Sequence, residues 1–222
     1  MSGGWLRPAV FGAMDGLVTN VSLIAGVGGG GGSQHAIVLT GLAGLAAGAF
    51  SMAAGEFVSV SSQNELVHAE VAKERHELAT NAVAEQMELV GMLRRRGISA
   101  ATARLAAAEI SAHPEKALAV HAFEELGVNP ADLPSPFVAA GASLVAFAVG
   151  ALVPLLPYAA GADSLWLALG LAALAAIAGG GMVARLTGRP FWRGALRQLV
   201  LGALAAGVTY LIGLAVGGMA GT

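Results

Sequence analysis

The sequence predicts an all-α membrane protein: five transmembrane helices with a helical cytoplasmic insert between the second and the third. Three observations predict it. Hydrophobic residues make up 56% of the 222 and charged residues 12%, against roughly 25% charged in soluble domains. Five apolar stretches reach the roughly 20 residues that a helix needs to cross a bilayer. The charges are also segregated. Residues 63–132 hold 11 of the 14 acids and 7 of the 12 bases, while the other 152 residues carry only Asp15, Glu56, Asp163, Arg7, Arg185, Arg189, Arg193 and Arg197. A water-soluble fold cannot cover its surface with so few charges.

The first span runs from about Pro8 to Val27 and contains Asp15 and Asn20; the run Gly28 to Gly32 reads as the turn after it. The second runs from about Ala36 to Val60. Polar helix then dominates to about Gly127, and Asn129-Pro130 and Pro134-Ser135-Pro136 stop it. The third span covers about Phe137 to Leu156, with Pro154 and Pro157 near its end; the fourth covers Leu165 to Leu186, and the fifth Ala195 to Met219. The domain division is therefore 1–62 (spans one and two), 63–132 (insert) and 133–222 (spans three to five). Gly44/Gly48 and Gly213/Gly217 have the four-residue spacing that lets helix backbones approach in lipid.

Four arginines between spans four and five, and Arg7 before span one, contrast with base-free loops after spans one and three. The positive-inside rule then places the N-terminus, the insert and the four-to-five loop in the cytoplasm and the C-terminus outside. The Ala/Gly/Arg-rich composition suggests a bacterium, hence its plasma membrane. A net charge of −2 argues against a nucleic-acid partner. Cys is absent, which excludes disulfides, thiolate metal sites and Cys nucleophiles.

Asp15 is the most informative residue in the spans. A carboxylate in mid-helix costs roughly 2.5–3.5 kcal/mol on insertion, so it should face a bundle interior or a wet path, unless it is simply solvated near the cytoplasmic end. Met52 and Glu56 share one face of span two at i,i+4, a thioether beside a carboxylate that suits a borderline divalent metal. In the insert, Glu74, Glu77, Glu85 and Glu88 form two E-x-x-E pairs. They fall within roughly 80° of arc if the helix is unbroken, with Glu70 on the same stripe. A solvated face usually interleaves Lys at i+4, and Lys73, Arg75 and His76 lie mostly off this stripe. A divalent cation would relieve the repulsion, and the oxygen-rich set suits Fe²⁺, Mn²⁺, Ca²⁺ or Mg²⁺. If Thr80-Asn81 breaks the helix, the two pairs can face each other. His121 and Glu125, at i,i+4 before Gly127, add ligands from a third helix. Glu65-x-x-His68 resembles half of a di-iron motif whose second E-x-x-H is missing, which disfavours a membrane-bound ferroxidase. Arg94-Arg95-Arg96 reads as a helix end near anionic headgroups.

On these residues the chain resembles the vacuolar iron transporter family over nearly its whole length. The markers are MDGLVTNVSLIAG in span one, GLAAGAFSMAAGEFVSVSSQNE in span two, the E-x-x-E pairs, and EELGV closing the insert. The resemblance implies a homodimer that exports Fe²⁺ or Mn²⁺ from the cytosol, in some members in exchange for protons. It implies that Asp15 and Met52 line the path and that Glu74, Glu77, Glu85, Glu88 and Glu125 bind metal in the insert, which the nodulin-like members lack. Two departures stand out. Gly44 occupies a position where iron transporters of the family often carry Glu, and His121-Ala122 stands where they carry a Met pair, with His121 a substitute ligand. The resulting expectation is a divalent transition-metal transporter, not an enzyme. It has no prosthetic group, and its partners are metal ions, membrane lipid and a second copy. Asp15, Met52 and Glu56 form the path, and Glu74, Glu77, Glu85, Glu88, Glu125 and His121 capture the metal. The alternative from another class is a membrane-tethered metal sensor or storage module without transport.

Overall fold

The structure, a computed structural model, describes residues 4–220, apart from the side chain of residue 220. Nine α-helices follow one another among the described residues: α1 (Leu6–Gly29), α2 (Gln34–Thr80), α3 (Ala82–Arg95), α4 (Ala100–Ser111), α5 (Pro114–Leu126), α6 (Pro136–Leu152), α7 (Leu156–Ala159), α8 (Leu165–Leu186) and α9 (Phe191–Ala220). A single 3₁₀ turn, Val153–Leu155, joins α6 to α7. It falls where Pro154 and Pro157 remove backbone donors that a continuous α-helix would use. Five helical segments among the described residues are long and apolar enough to cross a bilayer: α1, α2, Pro136–Ala159, α8 and α9. The chain is an integral membrane protein.

The residues divide into two compact units. The first holds Met1–Val58 and Pro136–Thr222, the second Ser59–Ser135. α2 contributes to both. Its 47 residues make a helix of about 70 Å, more than twice the roughly 30 Å of a hydrocarbon core. Its apolar sequence gives way to Gln63, Asn64 and Glu65, so only its earlier part is apolar enough to cross a bilayer.

In the first unit α1 is the central helix. Of its most apolar window 44% is buried, against 17% in α2 and 11% in α9. Leu17 and Val21 pack against Ala172 and Ala176 of α8. Ile24 packs with Ile37, Leu155, Tyr158 and Ala168. On another face a Cβ at Gly16 would overlap the Phe147 backbone, and one at Gly150 would overlap the Ala13 carbonyl. Because lipid tails are as apolar as the side chains, such close backbone packing is a main source of helix association. Gly48 likewise abuts the Phe147 ring, and Gly44 abuts Leu23 and Asn20. Fully buried Asn20 donates from Nδ2 to the Ala151 carbonyl, and Thr209 Oγ1 donates to the Ser22 carbonyl at 2.7 Å. Both bonds tie helix to helix where water is excluded.

One sequence expectation changes here and another finds its contact. The turn after span one is shorter than Gly28 to Gly32, because Gly28 and Gly29 are the last residues of α1. Gly213 and Gly217 of α9 sit against Gly26 and Gly30, so their spacing serves contact within the chain.

In the second unit Leu89, Val90 and Met92 of α3 pack on Ala103 and Ala107 of α4, with Val120 of α5 beside them. Ser99 caps α4 by accepting from Thr102 N. Gly127 ends α5 in the left-handed conformation at φ 67°, which glycine adopts without strain.

Gly150 and Gly141 make a controlled pair in α6. Alanine gains up to about 1 kcal/mol of helix propensity over glycine, and a Cβ at Gly141 meets nothing within 4 Å. At Gly150 overpacking of about 1–3 kcal/mol outweighs that gain. In detergent, Gly150→Ala should lower the thermal midpoint and Gly141→Ala should hold or raise it; equal midpoints would remove the α1–α6 contact from the account.

Candidate metal-binding site

The acidic stripe does not lie on one helix. Asn81 leaves the helical region at φ −127°, ψ 35° and separates α2 from α3. Glu74 and Glu77 therefore end one helix, and Glu85 and Glu88 begin another. The chain doubles back and the pairs converge, as the broken-helix reading requires. α5 supplies the third wall. Arg75 of α2 bridges to Glu115 at 3.2 Å, and Arg96 at the end of α3 bridges to Glu124 at 3.1 Å.

His121 is the centre of this arrangement. Its side chain is 0% exposed, and its Nδ1 lies 2.8 Å from Glu74 Oε1, 3.5 Å from Glu125 Oε1 and 3.8 Å from Glu85 Oε2. Glu74 and Glu85 are buried, Glu77 is half-buried, and Glu88 and Glu125 are exposed. Glu74, His121 and Glu125 each offer a ligand atom, and these atoms lie within 4.8 Å of one another. A cavity of about 40 Å³ opens on Glu74, Glu77 and Glu125, with Glu70 and Lys73 at its edge. A water needs roughly 10–15 Å³ of such space, so an ion with a water or two fits. Lys73 Nζ stands 4.0 Å from Glu77, so Glu77 has a weak, exposed counter-charge that the stripe argument had placed elsewhere.

Burial raises the Glu74 carboxyl to about 7, with the charges of Glu125, Glu85 and Glu77 adding to the rise and His121 opposing it. Glu85 is also raised, again first by burial and next by Glu88. A site that holds protons only because its carboxylates are crowded and dry gains from any cation that replaces them. Nitrogen and carboxylate oxygen together suit Fe²⁺, Mn²⁺, Co²⁺ or Zn²⁺.

The span residues are placed differently. Asp15 is half-buried in α1 and hydrogen-bonded to Thr19. Met52 is half-buried against the Ala49–Phe147–Ala151 cluster, and Glu56 is half-buried one turn later. Among the described residues, neither Asp15 nor Glu56 joins a group of three metal-competent side chains. Sequence reasoning passed over Thr209 and Ser143, polar groups inside the bundle. It noted Asn20 without foreseeing its bond to Ala151.

Residues 6–214 match the VIT family. The chain belongs to that family. It is 35% identical over 218 residues to a vacuolar iron transporter of Acanthamoeba castellanii, covering 95% of this chain and 78% of that one. It is 40% identical to vacuolar iron transporter homolog 5 of Oryza sativa subsp. japonica, over 93% of this chain and 77% of the rice protein. It is 35% identical to homolog 3 of Arabidopsis thaliana, over 93% of this chain and 80% of the other. VIT family members are transporters, not enzymes, and the all-helical span order found here agrees with that.

The raised carboxyls carry a pH signature in the metal-free protein. Between the ordinary Glu value of 4.5 and about 7, folded Glu74 keeps a proton that the unfolded chain has lost. The folded state then binds more protons, so its stability falls as pH rises through this window. Thermal melts of the metal-free protein should show a midpoint that drops from pH 5 to pH 8. Glu74→Gln should flatten that drop and melt higher at pH 8; a slope unchanged in the variant would dissociate Glu74 from it.

Proposed function

We propose that this protein transports a divalent transition metal, Fe²⁺ or Mn²⁺, out of the cytosol. The single observation that carries the proposal is the buried His121 inside a ring of carboxylates on a chain of the VIT family with five candidate membrane spans. The 59–135 unit lies on the cytoplasmic side and captures the ion through Glu74, Glu77, Glu85, Glu88, Glu125 and His121. Asp15, Met52 and Glu56 pass it across. Arginine placement supports the orientation, with the C-terminus outside. The membrane is, on composition, a bacterial plasma membrane, whereas the relatives' names say vacuolar.

Asp15 is the pivot of the passage. A carboxylate in a span persists where a cation or proton partners it. Among the described residues neither Asp15 nor Glu56 joins a group of three His, Cys, Asp or Glu side chains, and a homodimer would bring a second copy of each to the path. A carboxylate cannot hold a proton and a metal on the same oxygens, so metal entry favours proton release and exchange follows naturally. A membrane-tethered sensor would need the insert cluster alone and would leave Asp15 without a role.

Metal flux into liposomes separates these readings. Asp15→Asn should reduce Fe²⁺ and Mn²⁺ flux to background while leaving metal binding intact. A Glu74→Ala/Glu77→Ala/Glu85→Ala/Glu88→Ala variant should slow flux at low metal and recover at high metal. An opposing pH gradient should accelerate wild-type flux, and protease outside intact cells should remove a C-terminal tag while sparing the insert. Undiminished flux in Asp15→Asn would remove that residue from the path, and no flux in wild type would leave the sensor.

A further inference from the structure

We propose that His121 is the specificity-determining ligand of the insert site. It supplies one nitrogen through Nδ1 and tilts binding toward metals that accept imidazole (Fe²⁺, Co²⁺ and Zn²⁺) and away from Mn²⁺ and the hard cations Ca²⁺ and Mg²⁺. The inference rests on the reading that this cluster captures metal and names the class of ion it prefers.

The geometry around the ring carries it. His121 Nδ1 and Glu74 Oε1 are 2.8 Å apart, both atoms are buried, and neither makes a hydrogen bond. A buried ring nitrogen and a buried carboxylate oxygen, side by side and each without a hydrogen-bond partner, are two donor atoms that one bound cation satisfies together. Donors at right angles around a metal at about 2.1 Å stand about 3.0 Å apart, and at the tetrahedral angle about 3.4 Å. The separations from Nδ1 to Glu74 and Glu125, 2.8 and 3.5 Å, bracket those values. At the roughly 2.4 Å typical of Ca²⁺, right-angled donors stand about 3.4 Å apart, wider than the Glu74 contact.

His121 is also the one nitrogen donor in the group. Glu74, Glu77, Glu85, Glu88 and Glu125 all offer carboxylate oxygen, which Mn²⁺, Mg²⁺ and Ca²⁺ accept readily. Imidazole adds more to the later first-row metals than to Mn²⁺, because affinity for nitrogen climbs from Mn²⁺ through Fe²⁺ and Co²⁺. Its 0% exposure removes competition from water at the ring and fixes the orientation. Ala117, Leu118 and Ala122 of the same helix are buried with it.

The test uses the full-length protein in detergent. Calorimetry with Zn²⁺, Co²⁺ and Mn²⁺ on wild type and His121→Gln should show about a tenfold or larger loss for Zn²⁺ and Co²⁺ and less than about a threefold loss for Mn²⁺. Pulsed electron resonance on the Mn²⁺-loaded wild type needs no variant and should show nitrogen hyperfine coupling. Equal losses for all three metals, or Mn²⁺ bound without nitrogen coupling, would overturn the assignment and leave His121 as a residue that merely positions Glu74. Wild type that binds none of the three metals would instead sink the capture reading underneath it.

Discussion

Burial of carboxylates around a single imidazole is the constraint on which the second unit depends. Apolar packing orders α3, α4 and α5 through Leu89, Val90, Ala103 and Ala107, and Glu74, Glu85 and Glu125 lie within 3.8 Å of His121 Nδ1. Without a cation that arrangement is held against its own electrostatics. Glu74 answers by retaining a proton to about pH 7, the usual response of a crowded, desolvated carboxyl. The hydrophobic contacts stabilise the unit and the charged ones oppose them, so the site is poised to bind an ion that settles the conflict.

The bundle of spans follows a different rule. There the solvent is lipid, and shape complementarity decides which helices meet. Small residues on α1 face α6 and α9, and hydrogen bonds from Asn20 and Thr209 lock those pairs. Asp15 is an exception in this apolar setting, a carboxyl group hydrogen-bonded to Thr19 on its own helix. Stability explains the glycines and the buried amide. It does not explain Asp15, which makes that residue the natural candidate for a transport role.

Much of the fold is legible in the sequence because the bilayer demands long apolar runs. Asp15 and Glu56 stand out against those runs for the same reason. The helix stop at Gly127 and the helix end at Arg94-Arg95-Arg96 are local and equally readable. The site is less so. The Glu spacing marks an acidic face, but whether Thr80-Asn81 breaks the helix decides whether that face is one stripe or two converging pairs. Local sequence leaves both open. The central place of His121 depends on where α5 docks on α2 and α3, contacts between residues 47 and 36 apart in sequence that no periodicity encodes. The Gly28–Gly32 run misleads in the opposite direction. It has the composition of a loop, yet Gly28 and Gly29 stay helical, and Gly29 lies where α9 approaches α1 too closely for a side chain.

The central claim is that a divalent ion draws α2, α3 and α5 together at His121. Hydrogen exchange on the full-length protein, with and without saturating Fe²⁺ or Mn²⁺, tests this most directly. The account expects slower exchange at amides 70–80, 82–95 and 114–126 when metal is present, with α8 unchanged as an internal reference. Exchange in those three segments that is indifferent to metal would contradict it.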